Sequence, residues 1–220
     1  MLFRSIETVG AEMLGAMRQM ADAANQRGFA VAWHYGTLVT RATIEFDWEP
    51  FLTAAALAPE RFGEICAHFA QASLAVIRGW CQTPGLEYVI IHDDIAGTRG
   101  PILSPEWYRQ YAFPWYKRMF ETVHEAGKKV LYISDGNYLP VLDDIRQTGP
   151  DGLYIESTSM DPGEFMDQAG PEYFFLLKTN ARNTDIGTPD DVRQELLRLR
   201  DLHARFPGIY MYQGGNLKPE

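Results

Sequence analysis

Cysteine is nearly absent from this chain: Cys66 and Cys81 are the two in 220 residues, and neither has a Cys-x-x-Cys partner. That excludes a disulfide scaffold and makes a reducing, cytosolic location the expectation. Basic charge is also short, with 20 Lys and Arg against 29 Asp and Glu for a net −9. Nucleic-acid binders present a basic face, so nucleic acid is not an expected partner. No apolar run approaches the ~20 residues of a membrane span. Met1-Leu2-Phe3-Arg4-Ser5 lacks the basic start and apolar centre of a secretion signal. A Gly-x-x-x-x-Gly-Lys phosphate loop and a Gly-x-Gly-x-x-Gly turn after a strand are missing too, which argues against nucleotide cofactors. The remainder is ordinary for a folded chain, with 46% hydrophobic and 22% charged residues. No linker interrupts it, and one domain over residues 1–220 is expected.

Apolar periodicity then divides the chain. Ile6, Val9, Met13, Met17, Met20 and Ala24 step by three and four, one stripe of a helix. Residues 29–36 form a short apolar run stopped by Gly36, which predicts a buried strand. A helical pattern from Pro59 to Trp80 follows, then a β-branched strand over 88–92. Ser104-Pro105-Glu106 opens a helix that Pro114 must kink or split. Strands at 130–133, 152–155, 174–177 and 209–212 alternate with helices from 139, 161 and 188. In the last helix Val192, Leu196, Leu199 and Leu202 mark the apolar face. Apolar strands alternating with helices predict an α/β fold whose parallel sheet is covered by helices on both faces.

Chemistry gathers where these strands end. His34 and Tyr35 close the first strand; His92, Asp93 and Asp94 the second; Asp135 the third; Glu156 the fourth; Lys178 and Asn180 the fifth; Asn216 follows the sixth. A parallel sheet places all C-terminal strand ends on one side, the side where such folds bind ligands. Each residue alone has a plainer reading. Asp93-Asp94 suits an N-cap, Asp135-Gly136-Asn137 suits a turn, Lys178 suits an ion pair with Glu156, and His34 suits a core histidine. Together, His92, Asp93, Asp94, Asp135 and Glu156 form a nitrogen-and-oxygen donor set suited to a divalent metal.

The stretches Ile91-His92-Asp93-Asp94, Gly100 to Pro105, Tyr111 to Pro114, Ile133 to Asn137, Gly152 to Glu156 and Gly187 to Val192 resemble the uroporphyrinogen decarboxylase superfamily in order and spacing from about Phe29 onward. The resemblance implies a TIM-type (β/α)8 barrel, of which this chain carries about strands three to eight. It implies an enzyme that moves a methyl group between a small methylated compound and a corrinoid on a partner protein. Porphyrinogen decarboxylation and a non-catalytic barrel that binds a ligand or partner are the alternatives. The arginine-rich start of the decarboxylase is absent, and the methyltransferase motif His-x-Cys-Gly reads Ile133-Ser134-Asp135-Gly136 here. An aspartate version of that zinc site is implied, with His92, Asp135 and Glu156 as ligands. His92, Asp94 and Asp135 are the expected catalytic groups, and His34, Tyr35, Lys178, Asn180 and Asn216 the expected substrate contacts. An arc two strands short of closure has unpaired edges, so a homo-oligomer is expected.

Overall fold

Three helices of this chain begin at a side chain that satisfies a free backbone N–H group. A computed structural model describes residues 6–28, 31–184 and 186–212. The first elements are α1 (Ile6–Asn25), β1 (Val31–Gly36), α2 (Leu38–Phe46), α3 (Trp48–Leu57), α4 (Pro59–Cys81) and β2 (Leu86–His92). A small hairpin of β3 (Ala96–Gly97) and β4 (Gly100–Pro101) leads to α5 (Pro105–Tyr111), α6 (Phe113–Glu125) and β5 (Lys129–Ile133). A 3₁₀ turn (Leu139–Val141), α7 (Leu142–Thr148), β6 (Gly152–Glu156), α8 (Pro162–Ala169) and β7 (Phe174–Lys178) follow. The short α9 (Ala181–Thr184), α10 (Pro189–Arg205) and β8 (Ile209–Tyr212) complete the described chain. Ser104 caps α5 by accepting from the Trp107 N–H at 3.2 Å, and Asp161 caps α8 through the Glu164 N–H at 2.9 Å. Thr188 and Asp191 form a reciprocal capping box on α10. As expected of an interior proline, Pro114 marks the break between α5 and α6.

Six strands form one sheet in the order β1-β2-β5-β6-β7-β8, and every neighbouring pair is parallel. One set of alternating side chains, including Val89, Ile91, Tyr132, Ile155 and Leu177, is fully buried. Each contributes about 1.5–3 kcal/mol of transfer free energy against the helices outside. Helices α2 to α8 form one layer in which α4 packs on α2, α3, α5 and α6, α6 packs on α7, and α7 packs on α8. The expectation of helices on both faces is thus corrected. The other face, with Tyr88, Ile90, Ile133 and Leu176, is half-buried because the sheet curls round upon it. Tyr88 on β2 and Phe174 on β7 are three strand positions apart, about 14 Å on a flat sheet. Their rings nevertheless sit 5.6 Å apart, edge to face. Gly152 makes room, since a Cβ there would lie 2.3 Å from the Phe174 ring. An arc that curls this tightly has barrel curvature, and β1 and β8 are its two ends among the described residues.

Two helices, α2 and α3, carry no strong signal in the sequence. Neither has a side-chain N-cap of its own, and Asp47 at their joint takes a positive φ of 63°. The start of α2 is capped from a distance by Asp93, which follows β2. Its Oδ1 accepts from the Thr40 N–H at 2.6 Å, and its Oδ2 accepts from the Val39 N–H at 3.1 Å and the Tyr116 hydroxyl at 2.7 Å. Burial pushes the Asp93 carboxyl up, and those donors pull against the shift. Asp93 is therefore an N-cap, as one reading of the sequence has it, but for α2 rather than for its own loop. Asp93→Ala should lower the unfolding free energy by about 3 kcal/mol or more, because two helix N–H groups and a tyrosine lose a charged acceptor inside the core. Tyr116→Phe should cost less, about 1.5–3 kcal/mol; urea denaturation at neutral pH measures both.

Candidate active site

Strand alternation settles which side chains enter the mouth. Asp93 points outward into the helical layer, so His92 and Asp94 on either side of it point inward. The Asp93 N–H bonds to the Ile133 carbonyl at 2.9 Å, extending the β2–β5 ladder one residue past the strand. Asp135 is two residues beyond Ile133, which pairs with His92 in register. His92, Asp94 and Asp135 therefore meet.

Within this cluster the His92 Nε2 lies 2.7 Å from Asp94 Oδ1, and the same oxygen accepts from the Asp135 N–H at 2.9 Å. The Thr40 hydroxyl accepts from the Asp94 N–H at 2.9 Å, fixing that residue from the start of α2. One ligand atom from each of His92, Asp94 and Asp135 lies within 4.8 Å of the others. Burial alone would lower the His92 pKa, but the Asp94 hydrogen bond and the charges of Asp94, Asp135 and Asp93 together raise it. The Asp135 carboxyl is also pushed up, first by burial, then by the neighbouring Glu156 and Asp94 charges. An imidazole biased toward its protonated form beside a carboxyl biased toward neutrality is a proton-handling pair. The same nitrogen and carboxylate oxygens are also donors for a divalent cation.

Glu156 stands beside this cluster but has other partners. Its Oε2 accepts from the Gly136 N–H at 2.9 Å and the Ser159 hydroxyl at 2.8 Å, and its Oε1 sits 3.2 Å from Lys178 Nζ. Burial opposes its ionisation, and those donors outweigh burial, so its pKa is lowered. Among the described residues, Asp94 is the third side chain whose donor atom gathers with those of His92 and Asp135 within 4.8 Å. The Glu156–Lys178 pair expected from neighbouring strand ends is present, in register across β6 and β7. Asn180 is occupied structurally: its Oδ1 accepts from the Arg182 N–H at 3.0 Å, and its own N–H donates to Glu195 at 3.1 Å. The side chains of His34 and Tyr35, and all of Asn216, lie outside the described residues. Cys66 and Cys81 both lie on α4, and burial pushes the Cys66 thiol up to about 12.

Three further groups shape the mouth without a clear mark in the sequence. Thr40 sits in an unremarkable helical run. The Ser134 hydroxyl accepts from the Ile95 N–H at 3.1 Å and donates to the Asp135 carbonyl at 2.9 Å, tying the two mouth loops together. Tyr154, one pleat before Glu156 on the inner face, hydrogen-bonds Asp135. Its period-two spacing from Glu156 is the signal that points to it.

The family model described as Uroporphyrinogen decarboxylase (URO-D) matches residues 14–202. Among solved structures, a methyltransferase from Methanosarcina mazei superposes with a TM-score of 0.69 at 16% sequence identity. That match covers 87% of this chain and 55% of the other, so this chain spans about half of the methyltransferase's length. No curated protein matches the sequence.

Two measurements test the geometry of the mouth. Lys178→Ala should cost about 1–3 kcal/mol at neutral pH, the penalty of a half-buried acceptor losing one of three donors. Because the pKa of Glu156 is lowered on folding, that contribution is present above the ordinary glutamate range and fades as pH falls through the lowered value. Wild type and variant should therefore converge in acid denaturation. His92 should titrate above the ordinary histidine range by NMR, and Asp94→Asn should move it back down. The stability it contributes is complete below the ordinary histidine pKa and is lost as pH rises through the raised one.

Proposed function

This chain belongs to the uroporphyrinogen decarboxylase family, and from that premise we propose that its mouth moves a methyl group between a small methylated compound and a corrinoid carried by a partner protein. One observation carries the reading: His92 Nε2 held 2.7 Å from Asp94 Oδ1, with Asp135 beside them, at the C-terminal ends of β2 and β5. Methyl transfer leaves the electron pair of the broken bond on the donor's heteroatom, which then needs a proton. His92 supplies it, Asp94 stabilises the charged imidazole beforehand, and the raised Asp135 carboxyl is the reserve donor.

The three donors within 4.8 Å would also suit a divalent ion such as zinc, held by His92, Asp94 and Asp135. When bound, such an ion supplies Lewis-acid polarisation of the leaving heteroatom. Metal and proton compete for the same His92 nitrogen, so metal affinity should rise with pH. Lys178, held by Glu156 beside the cluster, would orient a polar group of the substrate. A porphyrinogen bearing several carboxylates is poorly served here, because the chain carries a net −9 and the acids His92 faces repel polyanions.

The experiment combines turnover with binding. Purified protein, reduced free cobalamin and a panel of methylated thiols, amines and methoxyaromatics should yield methylcobalamin by absorbance, and His92→Ala should abolish the signal. Uroporphyrinogen should not be turned over; its decarboxylation would overturn the methyl-transfer reading. Zinc titrated calorimetrically should bind wild type at least about tenfold more tightly than Asp135→Ala. Equal binding would remove Asp135 from the metal set.

A further inference from the structure

Residues 44–50, which close α2 and open α3, read Ile-Glu-Phe-Asp-Trp-Glu-Pro, and every one of them is exposed. Among them Ile44 is 63% exposed, Trp48 50% and Phe46 39%. Large apolar side chains gathered in water mark a surface that another molecule covers. The elbow they form is firmly seated. The Trp48 ring stands edge-on to buried Phe51 at 5.9 Å, Phe51 meets buried Phe62 at 5.3 Å, and Phe46 meets Phe69 on α4 at 6.2 Å. Asp47, at the joint, takes φ 63° and ψ 164°, a conformation that glycine enters freely and other residues only under strain. Its carboxylate caps neither helix. Among the described residues Glu45, Asp47 and Glu49 make no ion pair or side-chain hydrogen bond. An aspartate that bears strain and gains no partner inside the chain has its charge free for a partner outside it.

We infer that this elbow is a docking surface for a partner protein that presents an amphipathic helix, apolar along one face and flanked by lysine or arginine. Charge selects this occupant. The segment alternates apolar and acidic residues one by one and contains no base. A basic flank on the partner meets those acids while its apolar face covers Ile44, Phe46 and Trp48. Exposed Leu52 lies one turn after Trp48 on α3, a spacing that the apolar stripe of a helix can follow. Trp48, ringed by acids and half-exposed, is the kind of residue on which such contacts concentrate their energy. A second copy of the chain is disfavoured, because a two-fold contact sets the acids of one elbow against those of the other. Anionic lipid surfaces and nucleic acids are repelled for the same reason. The docking surface lies outside the His92 cluster and does not rest on the methyl-transfer reading.

Fluorescence anisotropy of a labelled helical peptide, with leucine along one face and lysine along the other, tests it at low ionic strength. The lysine peptide should bind the purified chain, and its twin with glutamate for lysine should not. Trp48→Ala and, separately, Glu45→Lys with Glu49→Lys should each weaken binding at least about tenfold. Asp47→Asn, which keeps the side chain and removes its charge, should weaken binding with the melting curve unchanged. Glu121→Lys with Glu125→Lys makes the same change of net charge at exposed positions of α6 and should leave the affinity as it is. The elbow charge pair decides the matter even where Trp48→Ala fails to fold. Binding that survives both sets of elbow substitutions, or that falls equally in the α6 pair, overturns the inference. So does equal binding of the glutamate twin or of phosphatidylcholine vesicles. A wild-type dimer in sedimentation equilibrium that Trp48→Ala dissolves also overturns it, since the elbow would then belong to a second copy.

Discussion

The arrangement of the mouth depends on one buried carboxylate. Asp93 is drawn out of the mouth and into the helical layer by the Val39 and Thr40 N–H groups and the Tyr116 hydroxyl. Its strand neighbours must then point the other way. A carboxylate of this burial is tolerable only with several donors, and here it recruits them from α2 and α6 at once. One interaction thus positions a helix without a cap of its own, closes the core behind β2, and delivers a histidine and an aspartate side by side to the mouth. Thr40 reinforces the link, since its N–H donates to Asp93 while its hydroxyl accepts from the Asp94 N–H.

Behind the mouth, four buried tyrosines extend the same logic. The Tyr116 hydroxyl donates to the Asp93 carboxylate; Tyr108 donates to the Ile95 carbonyl, Tyr132 to the Asp93 carbonyl and Tyr138 to the Tyr154 carbonyl. The rings of Tyr116, Tyr132 and Tyr138 run on from one another, with Phe120 and Phe165 beside them, in tilted, stacked and edge-to-face contacts, and Tyr108 joins them through Phe113. Each ring fills core volume, and each hydroxyl satisfies a backbone or side-chain acceptor, three of them in the loop after β2 and one on β6. Apolar packing and polar satisfaction are met by the same residues, so the loops that carry the site are held by the core itself.

Much of this was legible in the sequence, for identifiable reasons. Strand ends rich in His, Asp, Glu and Lys become a shared mouth once the sheet is parallel, and Glu156 and Lys178 then become register partners. What was not legible depends on contacts distant in sequence. The helices α2 and α3 lack local capping signals because Asp93 caps α2 from 54 residues away. The single helical layer follows from a curl that puts Phe174 over Gly152, which no apolar periodicity encodes. Glu195 displaced Leu196 from the buried stripe because Arg198 and the Asn180 N–H satisfy its charge, and hydrophobicity alone ranks those two residues the other way. Likewise Glu156, expected among the metal ligands, has three donors of its own, and the donor atoms that gather within 4.8 Å are those of His92, Asp94 and Asp135.

The close fit between two loops has a consequence for motion. Gly136, at φ +80°, lies so near the hairpin that a Cβ would sit 2.3 Å from the Ala96 carbonyl oxygen, and the Asn137 N–H bonds the Gly97 carbonyl at 2.9 Å. The loop after β5 and the hairpin after β2 are therefore clamped back to back, with Ser134 bridging them from below. Neither can swing aside while the other stays. Any breathing of this side of the mouth carries both loops as one body, and Asp94 and Asp135 keep their spacing through it.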